Sequence, residues 1–197
     1  SLRRSIPLMR SDYDRTTTAM RLSQSSGFNK WVPFHGSSTK DTEGQLEDSS
    51  TTPDVYATRA SLLPVWNVSG AYSHNPDLNF DEYRRNLDIW RKNSHLLTKD
   101  FYHLSEWHSP TDTSGWTVFA YNDPKTKEGI LLAFRQETCK EGEMLVRIPF
   151  ADAKGSYTLK DEDTQKSMTY SGKQLLEGLK LRLDQPRSSL LLRIQAQ

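Results

Sequence analysis

The sequence predicts a mixed fold, an α/β segment over residues 1–98 followed by an all-β segment over residues 99–197. In the first segment short apolar runs alternate with helix-length stretches, which is the pattern of parallel βαβ packing. After about residue 100 the apolar period becomes two, and turn-rich gaps separate strand-length runs, as in an antiparallel β-sandwich. We therefore expect two domains of different architecture.

The α/β segment should contain three strands, each followed by a helix. The strands are predicted at residues 6–9, 31–36 and 62–66, and the helices at residues 15–24, at residues 54–61 and from Asn79 onward. Serine and glycine at residues 25–27 should end the first helix. Three such units cannot close a barrel or cover a parallel sheet, so we expect this segment to lack its structural partners.

The helix from Asn79 carries the clearest signals. Asn79 is an N-cap residue with Glu82 three positions later, which matches a capping box. The spacing of its apolar residues predicts one shared face. These residues are Phe80, Tyr83, Leu87, Trp90 and Leu97.

The all-β segment should form seven or eight short strands. The clearest candidates are residues 115–123, 129–136, 143–150, 179–184 and 190–194. Asparagine, aspartate, proline and glycine are concentrated in the gaps between them, as expected of turns.

Composition excludes several classes of function. Lys+Arg total 26 against Asp+Glu 25, a formal net charge of +1, which disfavours nucleic acid and membrane surfaces as partners. A single cysteine, Cys139, leaves too few thiols for a disulfide framework or a structural zinc site. His103 and His108 would lie on opposite faces of a strand. We therefore expect no metal and no cofactor.

The chain begins with Ser1 rather than methionine. Because ordered-looking sequence starts at once, we expect a C-terminal piece of a longer protein. No run approaches the length of a membrane span, so we expect a soluble chain. Its localisation stays open because a signal peptide cannot be judged, and a homo-oligomer is also left open.

Candidate site residues come from the rule that parallel α/β folds carry their chemistry at the carboxyl ends of strands. Asp12 follows the first apolar strand directly. Its carboxylate would suit acid/base catalysis, although capping of the following helix is the commoner role of such an aspartate.

Two further residues qualify by the same rule. His35 could contact a ligand or act as a general acid, and Trp66 could offer a flat face to a sugar ring. A hydrogen-bonded structural histidine and a core-packed tryptophan are the alternatives.

Six segments together resemble glycoside hydrolase family 36 α-galactosidases. In the first half they are LRRSIPLMRSDY at 2–13, KWVPFHG at 30–36 and YATRASLLP at 56–64. In the second half they are KDFYHL at 99–104, GWTVFAY at 115–121 and EGILLAFR at 128–135.

The resemblance implies that residues 1–98 are the last three βα units of a (β/α)8 TIM barrel and that residues 99–197 are a terminal β-sandwich. It also implies a retaining enzyme that releases terminal α-linked galactose from oligosaccharides or glycosides. Asp12, in the Ser11–Asp12 pair, matches the family's acid/base catalyst. The nucleophile is expected outside this chain, so the chain alone should be inactive. Tyr13 replaces the asparagine of many members, which leaves the exact substrate open.

Three alternatives remain at this stage. The first is a galactosyl transferase of the same family, which would use Asp12 in the same way but pass galactose to another sugar. The second is a non-catalytic carbohydrate-binding or scaffolding piece, in which the sandwich would be the functional part. The third is an inactive relative of the enzyme.

Overall fold

The computed structural model describes residues 9–10, 17–32, 35–38, 54–67 and 79–197. The chain divides into two compact units, here called the first unit (Ser1–Thr98 with Ser109–Thr111) and the second unit (Lys99–His108 with Asp112–Gln197). Most of the strand predicted at 6–9 lies outside the described residues, as do Ser11 and Asp12.

The first unit contains a parallel sheet whose strands alternate with helices. Its elements in chain order are β1 (Met9–Arg10), α1 (Thr18–Phe28), β2 (His35–Ser38), α2 (Val55–Ala60), β3 (Val65–Asn67) and α3 (Phe80–Asn93). The sheet order is β1-β2-β3, and both pairings are parallel. The predicted parallel βαβ pattern is therefore confirmed, whereas closure into a barrel stays a prediction.

Helix α1 starts and ends later than predicted. It begins after Thr17, whose hydroxyl accepts a hydrogen bond from the Met20 N–H at 3.2 Å. The serines predicted to end the helix lie inside it, and the Ser26 hydroxyl donates to the Leu22 carbonyl at 2.8 Å. The helix continues to Phe28, so the predicted stop at residues 25–27 is wrong.

The longer helix displaces the second strand. Trp31 lies in the turn after α1 and is 84% exposed, and β2 begins only at His35. The predicted strand at 31–36 is therefore wrong in its bounds. Similarly, Leu62 and Leu63 are buried in the turn after α2, and β3 covers only Val65–Asn67.

Helix α3 has the predicted cap, and four of the five residues predicted to share a face are buried or half-buried. The Asn79 side chain accepts from the Glu82 N–H at 3.1 Å, which confirms the N-cap. Phe80, however, is 52% exposed, and Asn86 and Asn93 are buried. Both asparagine Nδ2 groups donate to carbonyls one turn earlier in the helix, at 2.9 and 2.8 Å, so these buried amide donors have partners within the helix.

The second unit is an antiparallel β-sandwich. Its elements are β4 (Asp100–His103), β5 (Trp116–Asp123), β6 (Glu128–Arg135), β7 (Glu143–Val146), β8 (Ser156–Asp161), β9 (Ser167–Ser171), α4 (Gly172–Glu177), β10 (Leu179–Arg182) and β11 (Ser188–Ala196). A six-stranded sheet has the order β4-β5-β6-β11-β8-β9, and β10 pairs with β7 in a second sheet. The eight strands confirm the predicted number.

The core of the second unit lies between these two sheets. Alternate residues of the long strands enter it, as the period-two pattern predicts. The buried cluster includes Val118, Ala120, Leu131, Ala133, Val146 and Leu181. The last strand, β11, pairs with β6 on one side and β8 on the other, so the C-terminal segment completes the sheet from its middle.

Two differences from prediction arise in the loops of the sandwich. Strand β7 ends at Val146, earlier than the predicted residue 150, because the chain turns and the Ile148 N–H donates to the Leu175 carbonyl at 2.9 Å. Helix α4 was not predicted. It starts with a complete capping box between Ser171 and Gln174, a signal that was present in the sequence.

Candidate functional site

The carboxyl ends of β1, β2 and β3 lie at one edge of the parallel sheet. Arg10 pairs in register with Gly36, and Ser38 pairs with Asn67. Because the strands are parallel, the segments that follow Arg10, Ser38 and Asn67 all leave from this edge. Ligands of open and closed parallel α/β sheets bind at such an edge.

Asp12 lies outside the described residues. In the sequence it stands two positions after Arg10, the last residue of β1. The prediction for Asp12 depends on a strand that ends just before it, and β1 is such a strand. Its role as acid/base catalyst or helix cap stays a prediction.

His35 has a different place in its strand from the one expected. It is the first residue of β2 and pairs in register with Met9, whereas the strand ends at Ser38. The strand-end argument for His35 therefore fails, although a substrate contact is not tested. Sequence reasoning missed Ser38 because glycine and serine at positions 36–38 carry no strand signal.

Trp66 is half-buried in β3 and has well-defined packing contacts. Its indole Nε1 donates to the Ser61 hydroxyl at 3.0 Å, and its ring stacks on Trp90 of α3 with a centroid distance of 6.2 Å. The Trp90 Nε1 donates in turn to the Leu63 carbonyl at 3.0 Å. These contacts join strand to helix, as in core packing. A sugar contact of Trp66 stays a prediction.

The helices of the first unit bury two arginines whose burial no sequence pattern predicted. Arg21 of α1 is 0% exposed and Arg59 of α2 is 3% exposed. Both residues have interaction partners, as a buried guanidinium requires. A lone arginine in a helical pattern looks like a solvated residue, so its burial could not be predicted.

The histidines considered for metal binding have separate partners. The His103 Nε2 lies 3.3 Å from the Ser105 hydroxyl, and the His108 Nδ1 lies 2.9 Å from an Asp112 carboxylate oxygen. Over the described ranges, no group of three or more histidine, cysteine, aspartate or glutamate side chains could hold a metal ion.

The single thiol is not activated. Cys139 is buried, and burial raises the pKa of its thiol. A raised pKa reduces the thiolate fraction that a nucleophile needs. As for membranes, none of the helices in the described part of the chain combines the length and the apolar character that a crossing requires.

Comparison with known proteins gives matches in structure but not in sequence. No protein-family model matches the chain, and no curated protein does. Three similar solved structures are the galactosidase domain of the α-galactosidase–sucrose kinase AgaSK, the family 36 α-galactosidase AgaA of Geobacillus stearothermophilus and the α-galactosidase of Lactobacillus brevis.

The likeness to these structures is extensive. The identities are 13%, 14% and 13%, and the TM-scores are 0.69, 0.69 and 0.70. The matches cover 91% or 92% of this chain but 25% of each of the other chains. The expected resemblance to family 36 α-galactosidases is therefore confirmed for the fold, and the chain spans about a quarter of the length of the structures it matches.

Proposed function

We propose that the chain is part of a family 36 α-galactosidase, a retaining glycoside hydrolase, and that Asp12 is its acid/base residue. One observation carries the proposal: three parallel strands follow each other in chain order, and the first ends two residues before Asp12. The likeness in fold to α-galactosidases over 92% of the chain supports it.

The first unit would contribute the last three βα units of a (β/α)8 barrel. Among the described residues, β1 and β3 each pair on one side only. A parallel sheet is normally buried and extended by further strands. Five more strands would close the barrel and bring the carboxyl ends of all eight to one face. The second unit would be the sandwich that follows it.

The chemistry would be a two-step displacement. A carboxylate on an earlier barrel strand attacks the anomeric carbon while Asp12 donates its proton to the departing glycosidic oxygen. Asp12 then removes a proton from water, whose oxygen displaces the enzyme carboxylate and restores the original anomeric configuration. This reaction needs the two carboxyl groups about 5–5.5 Å apart. The nucleophile would lie outside these 197 residues, so we expect no turnover by the chain alone.

The proposed substrate is an oligosaccharide with a terminal α-linked galactose. Variants of the Geobacillus stearothermophilus enzyme were solved with raffinose and with stachyose. We transfer this substrate class to the present protein by analogy of fold. Product analysis in excess sugar acceptor would distinguish hydrolysis from galactosyl transfer.

The test compares two aspartates in the whole protein that contains this chain, here called the parent protein. Asp54 is a demonstrated helix cap, because its carboxylate accepts from the Tyr56 N–H at 2.9 Å. General acid/base catalysis contributes roughly 100- to 10,000-fold. We therefore expect Asp12→Ala to lose turnover of an aryl α-galactoside by about that factor.

Asp54→Ala is the matched control. It should retain the parent turnover and lose about 1 kcal/mol of stability, the usual effect of removing an N-cap. If Asp12→Ala behaves like Asp54→Ala, Asp12 is a cap and the proposed role is wrong. A parent protein that does not turn over the galactoside would instead favour the non-catalytic hypothesis.

A further inference from the structure

An open groove lies on the second unit. Its volume is about 490 Å³, which is within the usual range of roughly 300–1,000 Å³ for small-ligand sites. The lining residues are His103, Leu104, Ser105, Leu145, Arg147 and Pro149. They belong to two segments, the end of β4 with the residues after it, and β7 with the residues after it.

Both walls are held in place by the sandwich. On the first wall the Leu104 N–H donates to the Val118 carbonyl at 2.8 Å, and the Ser105 hydroxyl accepts from the Val118 N–H at 3.0 Å. On the second wall the Ile148 N–H is bonded to the Leu175 carbonyl. The groove is therefore preformed, which reduces the entropy that a ligand must overcome.

Arg147 gives the groove an uncompensated positive charge. It is exposed, and the structure gives it no acidic partner among the described residues. The basic side chains of β10 differ in this respect. Lys180 pairs with Glu143 at 2.8 Å, and Arg182 pairs with Asp184 at 2.8 Å. A guanidinium without a carboxylate partner presents a planar fork of donors that fits a carboxylate ligand.

Leu145 adds an apolar surface beside this charge. It is 62% exposed, and Gly178 provides the space it occupies. A Cβ at position 178 would lie 2.7 Å from the Leu145 Cγ, and Gly178 has φ 148°, a conformation that favours glycine. The side chain of Leu145 is therefore packed against a residue that cannot easily be replaced.

We propose that this groove binds a saccharide that carries a carboxylate, such as a galacturonic acid unit. Arg147 binds the carboxylate through paired N–H donors. His103 and Ser105, whose ring nitrogen and hydroxyl lie 3.3 Å apart, form the polar side of the groove, and Leu145 and Pro149 contact the C–H face of the ring. The choice of a sugar rests on the proposed function, whereas the requirement for an anion rests on Arg147 alone.

The test is direct binding to the 197-residue chain. Calorimetry and NMR titration would compare a galacturonic acid disaccharide with a neutral galactose disaccharide of the same length. A charge-assisted pair contributes enough that its loss weakens binding about 10-fold. We therefore expect Arg147→Gln to weaken acidic-sugar binding about 10-fold and Arg182→Gln to leave it unchanged. Shifts should centre on the groove residues, and added salt should weaken the interaction.

Several results would overturn the proposal. The first two are equal affinity for the neutral and acidic disaccharides, and an equal loss of affinity in the Arg147→Gln and Arg182→Gln variants. The other two are NMR shifts away from the groove, and no binding at the solubility limit of the acidic sugar. None of these readouts requires hydrolysis. If the chain binds the acidic disaccharide but its parent protein does not cleave galactosides, the groove proposal stands and the proposed function is wrong.

Discussion

The parallel sheet of the first unit and the large antiparallel sheet of the second differ in how completely their strands are paired. Strands β1, β2 and β3 have 2, 4 and 3 residues, and within the described part of the chain the outer two are edges. Strands β5, β6 and β11 have 8, 8 and 9 residues and each pairs on both sides.

The two units also differ in the kind of side chain that they bury. The sandwich surrounds a continuous apolar cluster, whereas helix α1 buries five polar residues beside Ala19 and Leu22, namely Thr18, Arg21, Ser23, Ser25 and Ser26. Apolar burial stabilises a fold in proportion to area, and buried polar groups need specific partners. The second unit therefore has an apolar core of its own, whereas helix α1 of the first unit buries several polar groups.

The largest effect is expected from Arg135, a buried residue of β6. Its guanidinium donates to the carbonyls of Cys139, Lys140, Leu183 and Asp184 at 2.9–3.3 Å. Arg135→Met should lower the free energy of unfolding of the second unit by about 3 to 5 kcal/mol, because buried carbonyls lose a charged donor. Urea unfolding measures this change. The exposed Arg147→Met is the control, and equal losses in both variants would contradict the account.

Two glycines, one in each unit, should respond in opposite directions. A Cβ at Gly172 would lie 1.7 Å from the Asp152 carbonyl oxygen, whereas nothing lies within 4 Å of one at Gly27. Gly172→Ala should lose about 1 to 3 kcal/mol through overpacking. Gly27→Ala should gain up to about 1 kcal/mol through helix propensity. Thermal unfolding measures both, and a loss in both variants would indicate that α1 has less space than described.

Trp66 distinguishes packing from sugar binding. Trp66→Phe keeps a ring to stack on Trp90 but loses the bond to Ser61, so it should lower stability by about 1 kcal/mol and leave the KM of the parent protein unchanged. Trp116→Phe in the sandwich, which loses a bond of 2.8 Å to the Glu141 carbonyl, is the matched control. A raised KM for Trp66→Phe alone would instead support the predicted sugar contact of Trp66.

The smallest effect is a pH dependence at Asp112. Hydrogen bonds from His108 and then from Ser114 lower the pKa of the Asp112 carboxyl below its ordinary range. A lowered pKa contributes stability at neutral pH that is lost as the pH falls toward that pKa. The melting temperature of Asp112→Asn should therefore lie below that of the wild type at neutral pH. The difference should shrink below pH about 4; a constant difference would show that ionisation is not involved.

Sequence patterns predicted the second unit better than the first, for a physical reason. Strands β5 and β6 were predicted to within one residue, because apolar runs bounded by turn residues mark strands that are buried on both faces. The cap at Asn79 was also recognised, since capping is local chemistry, whereas the cap at Asp54 was not predicted. The start of β2 and the buried Arg21 depend on tertiary contacts that no local pattern encodes. The candidate site residues were predicted from the ends of strands. This rule holds for Asp12, which follows β1 in the sequence, but not for His35, which is the first residue of β2.

The most direct test of the central claim is the product that the Asp12→Ala variant of the parent protein forms from an aryl α-galactoside in the presence of azide. If Asp12 is the acid/base residue, the small anion needs no general base, so azide should restore turnover and give α-galactosyl azide with retained configuration in the proton NMR spectrum. If azide leaves the rate unchanged, or if the product is the inverted β-azide, Asp12 is not the acid/base residue of a retaining enzyme.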